Sequence, residues 1–299
     1  MRFSGLTLLT LMGLLAIMSS FNTAAHSENP EEQRRAVCSK IALNAYSFNA
    51  YLKADSMDLF DLLDYSAGLG FDGVDLTGYY FPGYPDPPSD EYIYRIKKRA
   101  FELGLHICGT GVRNDFCYAD PEMRAKEKAH VKDWILVAEK LGAPAIRIFT
   151  GKNIPEGYSW EEISAWVAED ILECAAFGKQ HGVVIEIQNH NDFLKTADEV
   201  IKLMEMIDSE WVGLMLDIGS YRTSDPYVEI EQTIPYAISW QIKEKVYINQ
   251  EQTPVDLARL ARIIAHSDYK GYLPIETLGP GDPFKKVDTF YTQVRRAFN

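Results

Sequence analysis

Glu276, Lys243 and His190 are the side chains whose types and positions could move a proton. A carboxylate such as Glu276 serves as a general base or as a metal ligand, and a lysine on a neighbouring strand would pair with it. Lys243 would either stabilise a developing enolate or neutralise Asp217 and Glu276. His190 closes the run Glu186-Ile187-Gln188-Asn189-His190, with Asp192 just beyond, and reads equally as an acid/base group or as a satisfied loop histidine. Asp217 is followed by Ile218-Gly219-Ser220-Tyr221-Arg222, and Arg222 could hold a carboxylate or hydroxyl of a ligand or lie in solvent. The run Tyr79-Tyr80-Phe81-Pro82-Gly83-Tyr84-Pro85 would either stack on a ligand ring or form a packed lid.

The elements that must position these groups follow from periodicity. Short apolar runs at 41–46, 72–76, 105–110, 145–150, 183–188, 213–217, 238–243 and 272–276 read as strands. Helical patterns lie between them and after the last, near 56–68, 90–103, 121–141, 159–181, 196–208, 225–236, 254–267 and 283–298. Eight strands alternating with eight helices predict a closed parallel (β/α)8 barrel spanning 37–299 as one domain. Gly70, Gly104, Gly142, Gly182 and Gly271 stand where left-handed helix C-caps belong, and Ser56, Asp120, Ser159 and Thr196 where N-caps belong. The alternative is an open doubly wound sheet, but its GxGxxG turn is absent and no nucleotide cofactor is expected.

Strand alternation then sorts the side chains. Ile185, Ile187, Leu214, Leu216, Trp240, Ile242, Leu273 and Ile275 face the helices. Their neighbours Glu186, Gln188, Asp217, Gln241, Lys243 and Glu276 must face the barrel axis, as must Asn44, Asp75 and Arg147. Most of these sit near strand C-termini, where barrel enzymes place their chemistry. Asn44, Tyr79 and Arg222 are the candidate substrate-binding residues. Glu186 is expected to pair with Arg147 on the adjacent strand.

Bulk properties narrow the class. Residues 1–25 combine Arg2, an apolar run from Leu6 to Met18 and a small-residue end at Thr23 and Ala25, which predicts a cleaved signal peptide and a periplasmic or secreted protein, with an uncleaved membrane anchor as the alternative. The polar stretch 26–36 reads as a disordered lead-in. No membrane association is expected after cleavage. The chain carries a net charge of −13, or −14 once Arg2 is removed with the leader, and this argues against nucleic-acid binding. Cys38, Cys108, Cys117 and Cys174 form no CxxC pair, so no structural zinc site is expected. An exported chain can form a disulfide, but spacing alone does not pair these cysteines.

The stretches GFDGVDL (70–76), IRIFTG (146–151), GVVIEIQNH (182–190), GLMLDIGS (213–220), SWQIKE (239–244) and GYLPIET (271–277) resemble the successive strands of the xylose isomerase-like sugar phosphate isomerase/epimerase superfamily. The resemblance implies a divalent-metal site at the barrel mouth, with ligand positions falling on Gln188, Asp217, Gln241 and Glu276. Two of these are glutamine where the superfamily carries glutamate and histidine. The expectation is a weakly bound Mg2+, Mn2+ or Ca2+ in preference to Zn2+. The implied function is proton transfer beside a carbonyl of a small carbohydrate or polyol, non-phosphorylated because the chain is exported. A carbohydrate-binding barrel without catalysis and a sugar lyase or dehydratase are the alternatives. A metal-dependent nuclease, also known on this barrel, is disfavoured by the acidic charge. A homo-oligomer is compatible with the sequence.

Overall fold

The computed structural model describes residues 40–298. The expected leader and lead-in, and Cys38, lie outside the described residues. The barrel strands are β1 (Lys40–Asn44), β2 (Gly73–Thr77), β3 (His106–Gly111), β4 (Ala145–Ile148), β5 (Val184–Gln188), β6 (Val212–Asp217), β7 (Ala237–Lys243) and β10 (Tyr272–Glu276). Between β7 and β10 a hairpin is inserted, β8 (Lys245–Ile248) and β9 (Glu251–Pro254). The eight parallel strands close in the order β1-β10-β7-β6-β5-β4-β3-β2, as the alternation requires.

The helix-facing residues named above are all buried, and they seat the outer ring of helices against the sheet. The principal helices are α2 (Leu59–Leu69), α3 (Asp90–Glu102), α4 (Pro121–Leu141), α5 (Trp160–His181), α6 (Ala197–Ile207), α7 (Pro226–Thr233), α8 (Leu257–Ala265) and α9 (Pro283–Phe298), with a short α1 (Asn49–Lys53) after β1. Asp120, Ser159 and Thr196 cap α4, α5 and α6 through their side chains. The cap of α2 is Asp58 rather than Ser56, because Asp58 and Asp61 exchange bonds in a capping box. Gly70, Gly142 and Gly182 end their helices in the left-handed region. Gly271 does not; it makes room for the ring of Tyr269.

The hairpin was not foreseen. Lys245–Pro254 is a polar stretch, but Asn249 and Gln250 both take positive φ, 50° and 70°, the signature of a tight hairpin turn. That pair, flanked by Val246, Tyr247 and Ile248, was the available signal.

Candidate functional site

Register sets the neighbours at the mouth. Asp217 on β6 lies beside Gln241 on β7, and Lys243 on β7 beside Glu276 on β10. Gln188 ends β5 on the same inward face. Their side chains close a ring. Gln188 Nε2 donates to Asp217 Oδ2 at 2.8 Å and to Gln241 Oε1 at 2.6 Å. Gln241 Nε2 donates to Glu276 Oε1 at 2.6 Å. Lys243 Nζ completes the circuit, 2.7 Å from Asp217 Oδ2 and 3.3 Å from Glu276 Oε2. Chemistry fixes the amide orientations: an ionised carboxylate only accepts, so each glutamine must turn its NH2 toward it.

The ring is buried, and its charges settle differently. Burial pushes the Asp217 carboxyl upward, but Lys243 and the Ser220 hydroxyl outweigh it and hold the group below the usual range. Asp217 also accepts from the Gly219 amide at 2.9 Å. Burial dominates at Glu276 and raises its pKa despite Lys243. Burial likewise opposes the Lys243 ammonium, yet Asp217 and Glu276 reverse this and raise its pKa. Room for its stem comes from Gly219, where an added Cβ would lie 2.7 Å from Lys243 Cδ.

At the level of Glu276 on the neighbouring strand, Asn44 Nδ2 donates to Asp75 Oδ2 at 2.7 Å. The expected ion pair between Arg147 and Glu186 does not form. Arg147 donates instead to the Val112 carbonyl at 2.6 Å and to the Tyr79 hydroxyl at 3.1 Å, while among the described residues Glu186 accepts only from Ser239 Oγ, at 2.9 Å. Adjacent register was correct, Arg147 opposite Glu186, but the long guanidinium reaches toward the mouth. Burial, then the nearby Asp75 charge, pushes the Glu186 carboxyl up to about 8.

Above the ring the mouth opens into two adjoining hollows. The inner one, about 260 Å³, is bounded by Asn44, Tyr79, Arg113, Arg147 and Phe149. The outer one, about 570 Å³, is bounded by Arg222, Tyr247, Lys245 and Lys286. His190, Lys243, Glu276 and Leu278 line both. The predicted catalytic and substrate-binding residues thus share one mouth. His190 is oriented by Asp192, 2.8 Å from its Nδ1. The aromatic loop after β2 is mostly packed: Phe81 is buried, and Trp134 Nε1 donates to the Pro85 carbonyl at 2.8 Å, leaving Tyr79 as a wall of the inner hollow. The sequence reading missed Arg113 and Tyr247, the latter because it rides on the unforeseen hairpin. A larger hollow of about 800 Å³ between α7 and α8 contains none of these groups.

The four expected metal-ligand positions do converge, but they do not fit a divalent ion. Asp217 and Glu276 both point at an ammonium, and the amide NH2 groups present donors where a cation needs lone pairs. Among the described residues no group of three or more His, Cys, Asp or Glu side chains is arranged to hold a metal. In this arrangement nothing confirms the Mg2+, Mn2+ or Ca2+ expected from the sequence.

The sequence profile described as the xylose isomerase-like TIM barrel matches residues 63–290. No curated protein matches the chain. Among solved structures, D-psicose 3-epimerase from Clostridium cellulolyticum H10, crystallised with D-tagatose, aligns at TM-score 0.73 and 17% identity, over 87% of this chain and 99% of its own. The 3-keto-D-glucoside 4-epimerase of E. coli aligns at 0.70 and 13%, over 86% and 99%. A probable 3-DHS dehydratase of Bacillus anthracis, involved in petrobactin synthesis, aligns at 0.66 and 16%, over 87% and 100%. At these identities the likeness establishes a shared fold.

Proposed function

Because the chain belongs to the xylose isomerase-like TIM-barrel family, we propose that it is a carbohydrate-directed acid–base catalyst of the isomerase and epimerase class, moving a proton on the carbon beside a carbonyl of a non-phosphorylated sugar or keto-sugar. One observation carries this reading. Lys243 has three N–H donors, two of them directed at Asp217 and Glu276, which leaves one to face a ligand where the two hollows meet.

In this mechanism Glu276 is the base. Burial raises its pKa above the ordinary carboxylate value, which makes it a stronger proton acceptor. The C–H bond breaks, the proton passes to the carboxylate, and the electron pair moves onto the carbonyl oxygen. The resulting oxyanion lies against the third N–H of Lys243, a cation fixed by its two carboxylate partners. Asp217 holds that ammonium in place and itself stays ionised. Return of the proton from Glu276 restores the starting carbon. Return from His190 on the opposite face inverts it, and Asp192 on Nδ1 leaves Nε2 as the transferring atom. Asn44, Tyr79 and Arg147 then serve as hydroxyl ligands at the inner wall. Loss of a β-hydroxyl from the same enolate would give a dehydratase instead, and NMR would show it as a new alkene signal.

The test is solvent exchange. In D2O with a panel of ketoses, aldoses and 3-keto-sugars, the wild type should wash out one carbon-bound hydrogen, and Glu276→Gln should slow this by at least ~10³-fold, the scale of a lost general base. A second reading, a carbohydrate-binding barrel without turnover, draws on the self-satisfied ring. Tight binding with no washout from any sugar would select it.

A further inference from the structure

The mouth is positively charged on an acidic protein. Arg113, Arg147, Arg222, Lys243, Lys245 and Lys286 line its two hollows, against the lining carboxylates Asp192, Glu244 and Glu276 and the Asp217 that Lys243 bonds beneath them. The chain as a whole carries −13. Each of the lining carboxylates already has a basic partner: Asp192 meets His190 at 2.8 Å, Glu244 meets Lys286 at 3.0 Å, and Glu276 meets Lys243 at 3.3 Å. Arg222 and Lys245 have no carboxylate within 4.0 Å among the described residues. A concave wall with surplus positive charge concentrates anions from solution.

Arg222 is also held as a receptor would hold it. Its guanidinium lies over the Tyr247 ring, 4.4 Å from the centroid. The hairpin carrying Tyr247 is tied to the Arg222 loop from both sides of its turn. Asn249 N donates to the Thr223 carbonyl at 2.7 Å, and Gln250 Nε2 donates to the Arg222 carbonyl at 2.9 Å. Among the described residues no acceptor meets Arg222 Nε. A planar, stacked guanidinium is matched to a planar two-oxygen anion.

We infer that the substrate is an acidic sugar, a uronate or a keto-sugar acid, whose carboxylate docks on Arg222 in the outer hollow. Its carbonyl carbon then lies at the junction lined by Lys243, Glu276 and His190. Lys245, on the rim, adds attraction at longer range. This assignment rests on the reading of the mouth as a carbohydrate site, but not on turnover.

Calorimetric titration of the intact protein separates the cases. The probes are D-glucuronate, D-galacturonate and D-mannuronate, with D-glucose as the neutral sugar and D-glucose 6-phosphate as the phosphate. At least one uronate should bind tenfold or more tighter than glucose, the worth of one charge-assisted pair, and the margin should shrink as salt rises. Arg222→Leu should bring that uronate to the affinity of glucose, and Arg222→Lys should retain part of the margin. Equal or tighter glucose binding, a uronate preference unchanged in Arg222→Leu, or no uronate binding at all each overturns the assignment. Glucose 6-phosphate binding tightest of all overturns the carboxylate in favour of a phosphate. A uronate preference without deuterium washout sinks the proton-transfer reading and leaves this one standing; washout from neutral sugars alone does the reverse.

Discussion

Two polar layers are stacked along β5 inside the barrel, and they treat buried carboxylates in opposite ways. In the upper layer Asp217 is fully buried yet is held ionised. In the lower layer Glu186 is 2% exposed and its pKa is pushed up to about 8. Burial is the same; the partners differ. Asp217 has an ammonium at 2.7 Å and three further donors, whereas Glu186 has one hydroxyl and the repelling charge of Asp75 nearby. The nearest cation of the lower layer, Arg147, spends its donors on a carbonyl and a phenol. Whether a buried acid stays charged is therefore decided by the direction one long side chain takes, a matter of ångströms.

The largest break in that contrast comes from Lys243→Met. It leaves Asp217 and Glu276 buried with no counter-charge, and stripping one partner from a buried ion pair costs about 3–5 kcal/mol. Urea denaturation at pH 7 should show a loss of that size, with deuterium washout abolished. An unchanged midpoint would mean that the ammonium does not neutralise the upper layer. The next largest effect tests whether that lysine excludes a divalent ion. After dialysis against EDTA the wild type should keep its melting temperature when Mn2+ is added. The triple change Gln188→Glu, Gln241→His, Lys243→Met replaces the ammonium and both amides with a ligand set. It should gain Mn2+ affinity by about 2–4 kcal/mol by calorimetry. Millimolar Mn2+ stabilising the wild type would contradict the geometric argument.

How much of this was legible beforehand depended on what set each feature. The barrel and the inward-facing residues follow from a period of two along each strand, which local sequence records directly; Glu186, Gln188, Asp217, Gln241, Lys243 and Glu276 all face inward as expected. Partner choice follows from rotamers of long side chains, which the pattern does not encode. Hence the Lys243–Glu276 pair was foreseen from adjacency, while Arg147 and Glu186, equally adjacent, did not pair. The same limit applies at the expected ligand positions: Gln188, Asp217, Gln241 and Glu276 converge, and only the direction of each amide shows that they bond to one another. The hairpin escaped because Val246 alone of its residues is fully buried, too little to make a core-facing stripe. The turn residues Asn249 and Gln250 were its only local trace.

A pH-dependent effect sharpens the lower half of the comparison. Because the folded pKa of Glu186 lies above its ordinary value of 4.5, the native state retains a proton that the unfolded chain has released between pH 4.5 and about 8. Its contribution is intact below that window, stability declines as pH rises through it, and the decline stops above. The slope from one such group is at most about 1.4 kcal/mol per pH unit. Glu186→Gln keeps a neutral partner for Ser239 and removes the titration. Its stability relative to wild type should be near zero at pH 4 and a gain of a few kcal/mol, on the order of 3–5, at pH 8. Parallel pH curves for the two proteins would place the carboxyl in a far more polar setting than the lower layer shows.

The smallest effect isolates position from charge. Gly219→Ala leaves every charge of the upper layer in place, and the residue does not sit in the left-handed region, so its effect is steric. The new methyl would lie 2.7 Å from Lys243 Cδ, a distance no real contact holds, and 3.5 Å from Asp217 Oδ1, an ordinary one. The lysine stem must therefore yield while the aspartate stays. A flexible tetramethylene chain yields cheaply, so the stability cost should be under about 1 kcal/mol, or a few degrees at most in melting temperature. Catalysis should suffer out of proportion, because an oxyanion donor displaced by part of an ångström loses most of its value. Washout at saturating sugar should fall about tenfold while sugar binding changes little. If instead the rate holds and only the melting temperature moves, Lys243 is a counter-ion for two buried carboxylates and takes no part in stabilising an oxyanion.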